Sequence, residues 1–141
     1  MRILLAADGS KFTKRAAKYL VEHASMFRSK PEITVLNVRP PLPYKGAAAV
    51  VGKEAVARYY REDSRAALST ACGILDKAGL RHESTWVVGD IAGEIGAQAK
   101  KLGADLIVMG SHGEGALANL VMGSVTTKVL ATCKIPVLVV R

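Results

Sequence analysis

The sequence predicts an α/β domain built on a parallel β-sheet with helical crossovers. Short apolar segments of strand length alternate with longer segments in which apolar residues recur every three or four positions. The segment from Ala104 to Met109 is almost continuously apolar, as expected of a strand buried on both faces. With 141 residues, of which 50% are hydrophobic, the chain can bury one sizeable core, and we expect residues 1–141 to form a single domain.

The predicted strands are short segments rich in apolar and β-branched residues. They span Ile3 to Ala7, Ile33 to Val38, Leu80 to Val88, Ala104 to Met109 and Val137 to Val140. The predicted helices carry the apolar stripe of a helix packed on a sheet. They span about Lys11 to Arg28, Lys53 to Ala78, Ile91 to Leu102 and Val125 to Ala131.

Several residues mark where these elements begin and end. Asp90 is a predicted N-cap, and Gly79 and Gly103 are placed to terminate helices. Three prolines between Arg39 and Gly46 exclude a helix there and predict one long loop.

The formal net charge of +8 raises the question of a nucleic-acid partner. The basic residues are distributed along the predicted helices, which is typical of a solvated surface. They include Lys11, Lys14, Arg15, Lys18, Arg58, Arg61, Arg65, Lys100 and Lys101. No recognition-helix or zinc-finger signature accompanies them, so the sequence argues against sequence-specific nucleic-acid binding. The charge excess would still attract a polyanionic nucleotide.

Cysteine usage and hydropathy predict an intracellular protein. Cys72 and Cys133 lie on predicted helices without metal-ligand spacing, and we interpret them as free thiols. The sequence shows neither a secretory leader nor an apolar run that approaches the ~18 residues of a membrane helix. We therefore expect a cytoplasmic location and no membrane partner.

The most specific motif is Gly110-Ser111-His112-Gly113, followed after nine residues by Gly123-Ser124. It joins a predicted strand end to a predicted helix start. Glycines there would let an anion approach bare backbone, and the amides and dipole of a helix N-terminus favour negative charge. The pattern is neither a Walker A loop nor a Gly-x-Gly-x-x-Gly turn. It predicts a phosphate-binding loop of another kind.

This motif resembles the Gly-x-x-Gly-(nine residues)-Gly-[Ser/Thr] ATP-binding motif of the universal stress protein family. The opening segment from Ile3 to Ser10, the central Val88-Gly89-Asp90 and the closing Ile135 to Val140 also resemble family signatures, in family order. The resemblance implies a Rossmann-like sheet with strand order 3-2-1-4-5 and helices on both faces, similar to the adenine nucleotide alpha hydrolases. It also implies ATP, AMP or ADP as ligand, Mg²⁺ or Mn²⁺ as an accompanying metal, and a homodimer through the C-terminal strand.

The same resemblance assigns the binding residues. In the family the residue at Asp8 hydrogen-bonds the adenine edge, the backbone at Ala6 contacts the ribose, and the backbone at Val38 reads adenine. The full set carried over is Ala6, Ala7, Asp8, Val38, Gly110, Ser111, His112, Gly113, Gly123, Ser124 and Val125. Two departures stand out: many nucleotide-binding members have Pro-Thr at Ala6-Ala7, and the family often has a basic residue where this chain has Glu114.

Alternative roles remain open for several of these residues. Asp8 is also a good turn residue, Ser124 a plausible N-cap, and the glycines could serve only tight turns. His112 is either a solvated loop residue or a phosphate donor or base.

Three functions compete. The motifs favour an adenine-nucleotide-binding regulatory module of the stress response, acting on an unknown protein partner. An ATPase or nucleotidyl-transfer enzyme is the second, although no catalytic triad, Walker lysine or paired carboxylates support it. A partner-binding stress protein without nucleotide is the third, against which the intact glycines argue.

Overall fold

Strands and helices alternate along the part of the chain that the computed structural model describes, residues 1–43, 52–113, 115 and 122–141. The strands are β1 Arg2–Ala6, β2 Glu32–Arg39, β3 His82–Val88, β4 Leu106–Gly110 and β5 Val137–Val140. The α-helices are α1 Lys11–Glu22, α2 Lys53–Lys77, α3 Ile91–Leu102 and α4 Ser124–Thr132. The alternation predicted from apolar periodicity is confirmed.

The strands form one parallel sheet in the order β3-β2-β1-β4-β5, as the family resemblance implied. Strand β1 lies at the centre, where Leu5 is paired with Val35 of β2 and with Val108 of β4. Both faces of the sheet are covered by helices. Side chains of α1 and α2 share one buried cluster with the sheet, and side chains of α3 and α4 share the other.

Helix α1 is shorter than the sequence predicts. It ends at Glu22 and is followed by a 3-10 turn, Ala24–Met26, so the predicted extension to Arg28 is wrong. The reason is the C-cap residue His23, whose backbone N–H donates to the Tyr19 carbonyl and whose ring nitrogen Nδ1 lies 3.0 Å from the same oxygen. Phe27 still packs on the core, although from outside a helix.

Strand β3 starts at His82 and not at Leu80 as predicted. Gly79 and Leu80, which precede it, complete the end of α2. Gly79 is left-handed, with φ of +65°, and the amide of Leu80 donates to the carbonyl of Leu75 at 3.0 Å. That pattern closes a helix C-terminus, so Leu80 is held by the cap and cannot begin the strand.

The N-caps agree with the sequence in one case and differ in another. Asp90 caps α3 as predicted, because its carboxylate accepts from the amide of Gly93 at 3.0 Å. Lys128 of α4 also donates to this carboxylate, and that hydrogen bond, with the one from Gly93, holds the pKa of Asp90 below its usual value. Ser124 is not a cap: Gly123 occupies the N-cap position and Ser124 is the first helical residue.

Cys72 and Cys133 are free and half-buried, as predicted, and burial raises the pKa of the Cys72 thiol. The structure describes residues 40–43 of the predicted long loop, which form no helix or strand, and the remainder of that loop lies outside the described residues. Within the described ranges, no helix has both the length and the apolar composition required to cross a bilayer.

The contact between β4 and α1 is unusually close at Gly110. A Cβ on Gly110 would lie 2.5 Å from Cβ of Phe12 and 3.0 Å from its carbonyl carbon. Both neighbours belong to the start of α1, and the backbone carbon cannot move aside without moving the helix. Glycine is therefore required at this position for helix–sheet packing, whatever else the loop does.

We expect Gly110→Ala to lower the free energy of unfolding by about 1–3 kcal/mol, because the added methyl forces α1 away from β4. Urea unfolding would measure it. Gly73→Ala is the matched control: Gly73 lies within α2, a Cβ there meets nothing within 4 Å, and the change should stabilise the protein by about 0.5–1 kcal/mol. Equal stabilities for Gly110→Ala and the unmodified protein would contradict the packing argument.

Candidate functional site

A cleft of about 320 Å³ opens at the carboxyl ends of β1, β2 and β4. Strands β1 and β4 are neighbours although three helices and two strands of the sequence separate them, so the direction of winding reverses between them. Ligands of open parallel sheets bind at such a point. The lining residues are Ala6, Ala7, Asp8, Thr13, Leu36, Val38, Arg39, Pro40, Ile91, Ile95, Met109, Gly110, His112, Gly113, Val125 and Thr126.

The turn after β1 is fixed by a pair of hydrogen bonds between Asp8 and Thr13. The amide of Asp8 donates to Thr13 Oγ1 at 3.0 Å, and the Thr13 hydroxyl donates back to Asp8 Oδ1 at 2.7 Å. Asp8 Oδ1 also accepts from the amide of Ser10 at 3.0 Å. Asp8 therefore does act as a turn residue, which was one of the two roles considered for it. This role fixes the side chain at the mouth of the cleft, with Oδ2 on the side of Gly113.

A buried amide supports the adjoining backbone. Asn37 of β2 is 1% exposed, and its Nδ2 donates to the carbonyl of Ala7 at 2.7 Å. The amide of Ala7 donates to the carbonyl of Leu36 at 2.8 Å. Together these bonds hold the Ala6–Ala7 backbone against β2. Asn37 was not among the predicted site residues, although an amide within a mostly apolar strand is a visible signal.

On the other side of the cleft lies the segment from Gly110 to Gly113, here termed the glycine loop. The Ser111 amide donates to the carbonyl of Val140 and its carbonyl accepts from the amide of Gly123, both at 2.8 Å. Thr126 of α4 donates its hydroxyl to the carbonyl of Gly110 at 3.0 Å. The loop is thus attached to both β5 and α4. Thr13 and Thr126 were not among the predicted site residues. Both are buried, at helix positions that face the interior of the protein.

The motif glycines are needed for space and not for unusual dihedrals. Gly110, Gly113 and Gly123 are not among the described glycines with positive φ, so none of the three adopts a left-handed backbone. A Cβ on Gly113 would instead lie 2.8 Å from Asp8 Oδ2, and one on Gly123 would lie 3.1 Å from the Cα of His112. The glycines bring the loop, the β1 turn and the start of α4 together.

Helix α4 points its N-terminus toward the cleft. The first intrahelical bond that the structure gives is from the amide of Thr127 to the carbonyl of Gly123, so the amides of Ser124, Val125 and Thr126 precede the helical ladder. Val125 and Thr126 border the cleft. Amides at this end of a helix, with its dipole, favour an anion.

His112 is the imidazole at the cleft. Its Nδ1 lies 3.0 Å from Ser111 Oγ, and its ring centroid is 5.1 Å from that of Phe12 on α1. The ring therefore stands between the cleft and the N-terminal turn of α1.

The structure brings most of the predicted residues into one cleft. Those that line it are Ala6, Ala7, Asp8, Val38, Gly110, His112, Gly113 and Val125, whereas Ser111, Gly123 and Ser124 are not among the lining residues. The amide of Gly123 donates to the carbonyl of Ser111 and is therefore already engaged within the protein. The missed lining residues include an apolar group, Leu36, Ile91, Ile95 and Met109. Within the described ranges, no three His, Cys, Asp or Glu residues are grouped as a metal site.

Sequence comparison relates the entire chain to one family. Residues 1–141 match the model of the universal stress protein family. A universal stress protein of Thermus aquaticus is 34% identical over 142 residues, covering 99% of this chain and 97% of that protein. Universal stress protein MJ0531 of Methanocaldococcus jannaschii is 31% identical, covering 99% of this chain and 81% of that protein.

Solved structures give the same result. Protein MJ0577 of Methanocaldococcus jannaschii superimposes with a TM-score of 0.80 at 27% identity, covering 99% of this chain and 94% of that one. An Archaeoglobus fulgidus universal stress protein solved with dAMP has a TM-score of 0.68 at 21% identity, with coverages of 100% and 98%. An Arabidopsis thaliana family protein with AMP bound has a TM-score of 0.71 at 16% identity, with coverages of 99% and 90%. The chain studied here belongs to the universal stress protein family.

Proposed function

We propose that this protein binds an adenine nucleotide in the cleft between β1 and β4 and acts as a nucleotide-dependent regulatory module of the stress response. The observation that carries the proposal is the convergence on one cleft of the β1 turn and the glycine loop, far apart in sequence. A ligand there contacts the carboxylate of Asp8, the loop backbone and the first amides of α4.

The two ends of the cleft suit the two ends of a nucleotide. Leu36, Ile91, Ile95 and Met109 provide apolar surface for a base, and few polar groups among apolar ones are typical of a ligand pocket. At the other end, the α4 N-terminus offers backbone amides that phosphate can approach. The binding of dAMP and AMP by the two family proteins of the same fold supports an adenine ligand.

ATP is the ligand we favour, with AMP or ADP as the alternatives and Mg²⁺ or Mn²⁺ as the accompanying ion. The glycine motif is intact in this chain, which is the observation that favours nucleotide binding over a role as a purely partner-binding stress protein.

The first prediction concerns the choice of base. Calorimetry should show tighter binding of ATP than of GTP, and Asp8→Asn should weaken ATP binding about tenfold. The asparagine keeps one oxygen as the acceptor for Ser10 and Thr13. It replaces the oxygen beside Gly113 by an NH₂ group, which cannot accept a hydrogen bond from the adenine amino group.

Asp76→Asn is the control, since it removes the same charge from an exposed position at the end of α2 and should leave ATP binding unchanged. Equal ATP affinities for Asp8→Asn and the unmodified protein would refute the role of Asp8. Absence of both heat and thermal shift with ATP at concentrations on the order of 100 times a micromolar Kd, where about 2.7 kcal/mol of stabilisation is due, would refute nucleotide binding itself.

The second prediction concerns hydrolysis. The side chains that line the cleft include two basic groups, Arg39 and His112, and one carboxylate, Asp8, whose Oδ1 is engaged by Thr13 and Ser10. Holding phosphates without orienting a water leaves most of the barrier in place. We expect ATP turnover well below about 1 s⁻¹, the lower end of ordinary enzymes, in a phosphate-release assay. A faster rate that His112→Ala abolishes would make the protein an ATPase.

The third prediction is a homodimer through β5. The two edges of the sheet differ: β3 begins with His82, Glu83, Ser84 and Thr85, whereas β5 is wholly apolar and each of its residues is half-buried. An apolar edge strand with unpaired backbone groups favours pairing with a second copy, and a two-fold contact closes on itself.

Analytical ultracentrifugation should therefore give a dimer, and Val139→Lys should shift it toward monomer, because the ammonium group would be placed at the centre of the contact. Thr85→Lys, on the opposite edge strand, is the matched control and should leave the dimer intact. A monomer at high micromolar concentration in the unmodified protein would exclude the β5 interface.

A further inference from the structure

The exposed surface of α1 carries basic residues on one side. Lys11, Lys14, Arg15 and Lys18 are all exposed, and their spacing of three and four places them on one face of the helix. The ion pairs found among the described residues, Arg2–Glu32, Arg39–Asp63, His82–Asp76 and Lys128–Asp90, involve other elements. The basic residues are distributed along the whole sequence, but on α1 they are concentrated on one exposed face.

Two of these residues are held beside the glycine loop. Nζ of Lys11 lies 5.2 Å from the centroid of the Phe12 ring, and Cζ of Arg15 lies 5.5 Å from it. Both distances are those of cation–π contacts. The same ring contacts the ring of His112, which lines the cleft. Phe12 thus joins two cations to the mouth of the cleft, and its position is fixed because its backbone packs directly on Gly110.

The charge next to the glycine loop differs from the family pattern. The position after Gly113, where the family resemblance leads us to expect a basic residue, is Glu114 in this sequence. The amides at the N-terminus of α4 carry only partial positive charge. A ligand with several phosphates needs more compensation than these amides provide, and full cations lie nearby on α1.

We propose that Lys11 and Arg15, held against Phe12, bind the terminal phosphates of a nucleoside polyphosphate whose base and sugar occupy the cleft. This inference rests on the proposed function and adds a phosphate-chain subsite to it. A monophosphate is bound by the cleft alone, whereas a triphosphate extends past His112 to the two cations. Affinity consequently rises with the number of phosphates, and hydrogen bonds from cations to phosphate oxygens are the strong ones.

The test is calorimetric titration with AMP, ADP and ATP in buffer that contains EDTA, so that no divalent ion neutralises the phosphates. For the unmodified protein we expect affinity to increase from AMP to ADP to ATP. Lys11→Ala/Arg15→Ala should reduce ATP affinity about tenfold or more and change AMP affinity less than about twofold. Both side chains are exposed, and an unchanged thermal midpoint without nucleotide would verify the fold.

The matched control is Lys100→Ala/Lys101→Ala, which removes the same charge from the C-terminal turn of α3, at the opposite end of the sheet. It should leave the ATP-to-AMP affinity ratio unchanged. An unchanged ATP-to-AMP affinity ratio in Lys11→Ala/Arg15→Ala would overturn the subsite. An equal fall of this ratio in both double variants would also overturn it and indicate at most general charge attraction. Equal affinities for AMP and ATP in the unmodified protein would overturn it while leaving the proposed function intact; failure to bind any of the three nucleotides would overturn both.

Discussion

The pairing of β1 with β4 is the constraint on which the candidate site depends. Leu4 and Leu5 are completely buried between β2 and β4, in register with Ile107 and Val108. Because the strands are parallel, their carboxyl ends emerge at the same edge of the sheet, and the chain leaves that edge toward opposite faces, to α1 from β1 and to α4 from β4. The gap between the departing segments is the cleft. Its position thus follows from the burial of two apolar strands.

Polar contacts then determine the shape of the cleft. On the β1 side, Thr13 and Asn37 fix the turn and the backbone of Ala7. On the β4 side, Thr126 and Ser111 fix the glycine loop. These bonds are partly or fully buried, so they are shielded from competition with water, and removing one partner leaves an unsatisfied group. The backbone that faces a ligand is consequently held in place before the ligand arrives, which limits the ordering cost of binding.

The sequence was sufficient to predict the alternation of elements and the caps at Asp90 and Gly103, whereas the convergence of the two loops followed from the strand order. Strand order required the family resemblance, since apolar periodicity reports burial and not neighbours. The end of α1 and the start of β3 could not be predicted, because the conformations of His23 and Leu80 are determined by hydrogen bonds to the preceding helical turn. The sequence explained the motif glycines by the approach of an anion, whereas at Gly110 the structure shows a lack of space for a side chain. The space is taken by Phe12, a tertiary contact that no local sequence rule can anticipate.

The hydrogen bond from Ser111 to the carbonyl of Val140 connects the glycine loop to the last residue of β5. Under the proposed function, a phosphate that tightened the loop would also restrain the end of this edge strand, and a contact that ordered the strand would also preorder the loop. Occupancy of the cleft and order at the sheet edge would then be coupled equilibria, and such a coupling has the same magnitude in both directions. One backbone hydrogen bond would thus link the edge strand to the proposed ligand site.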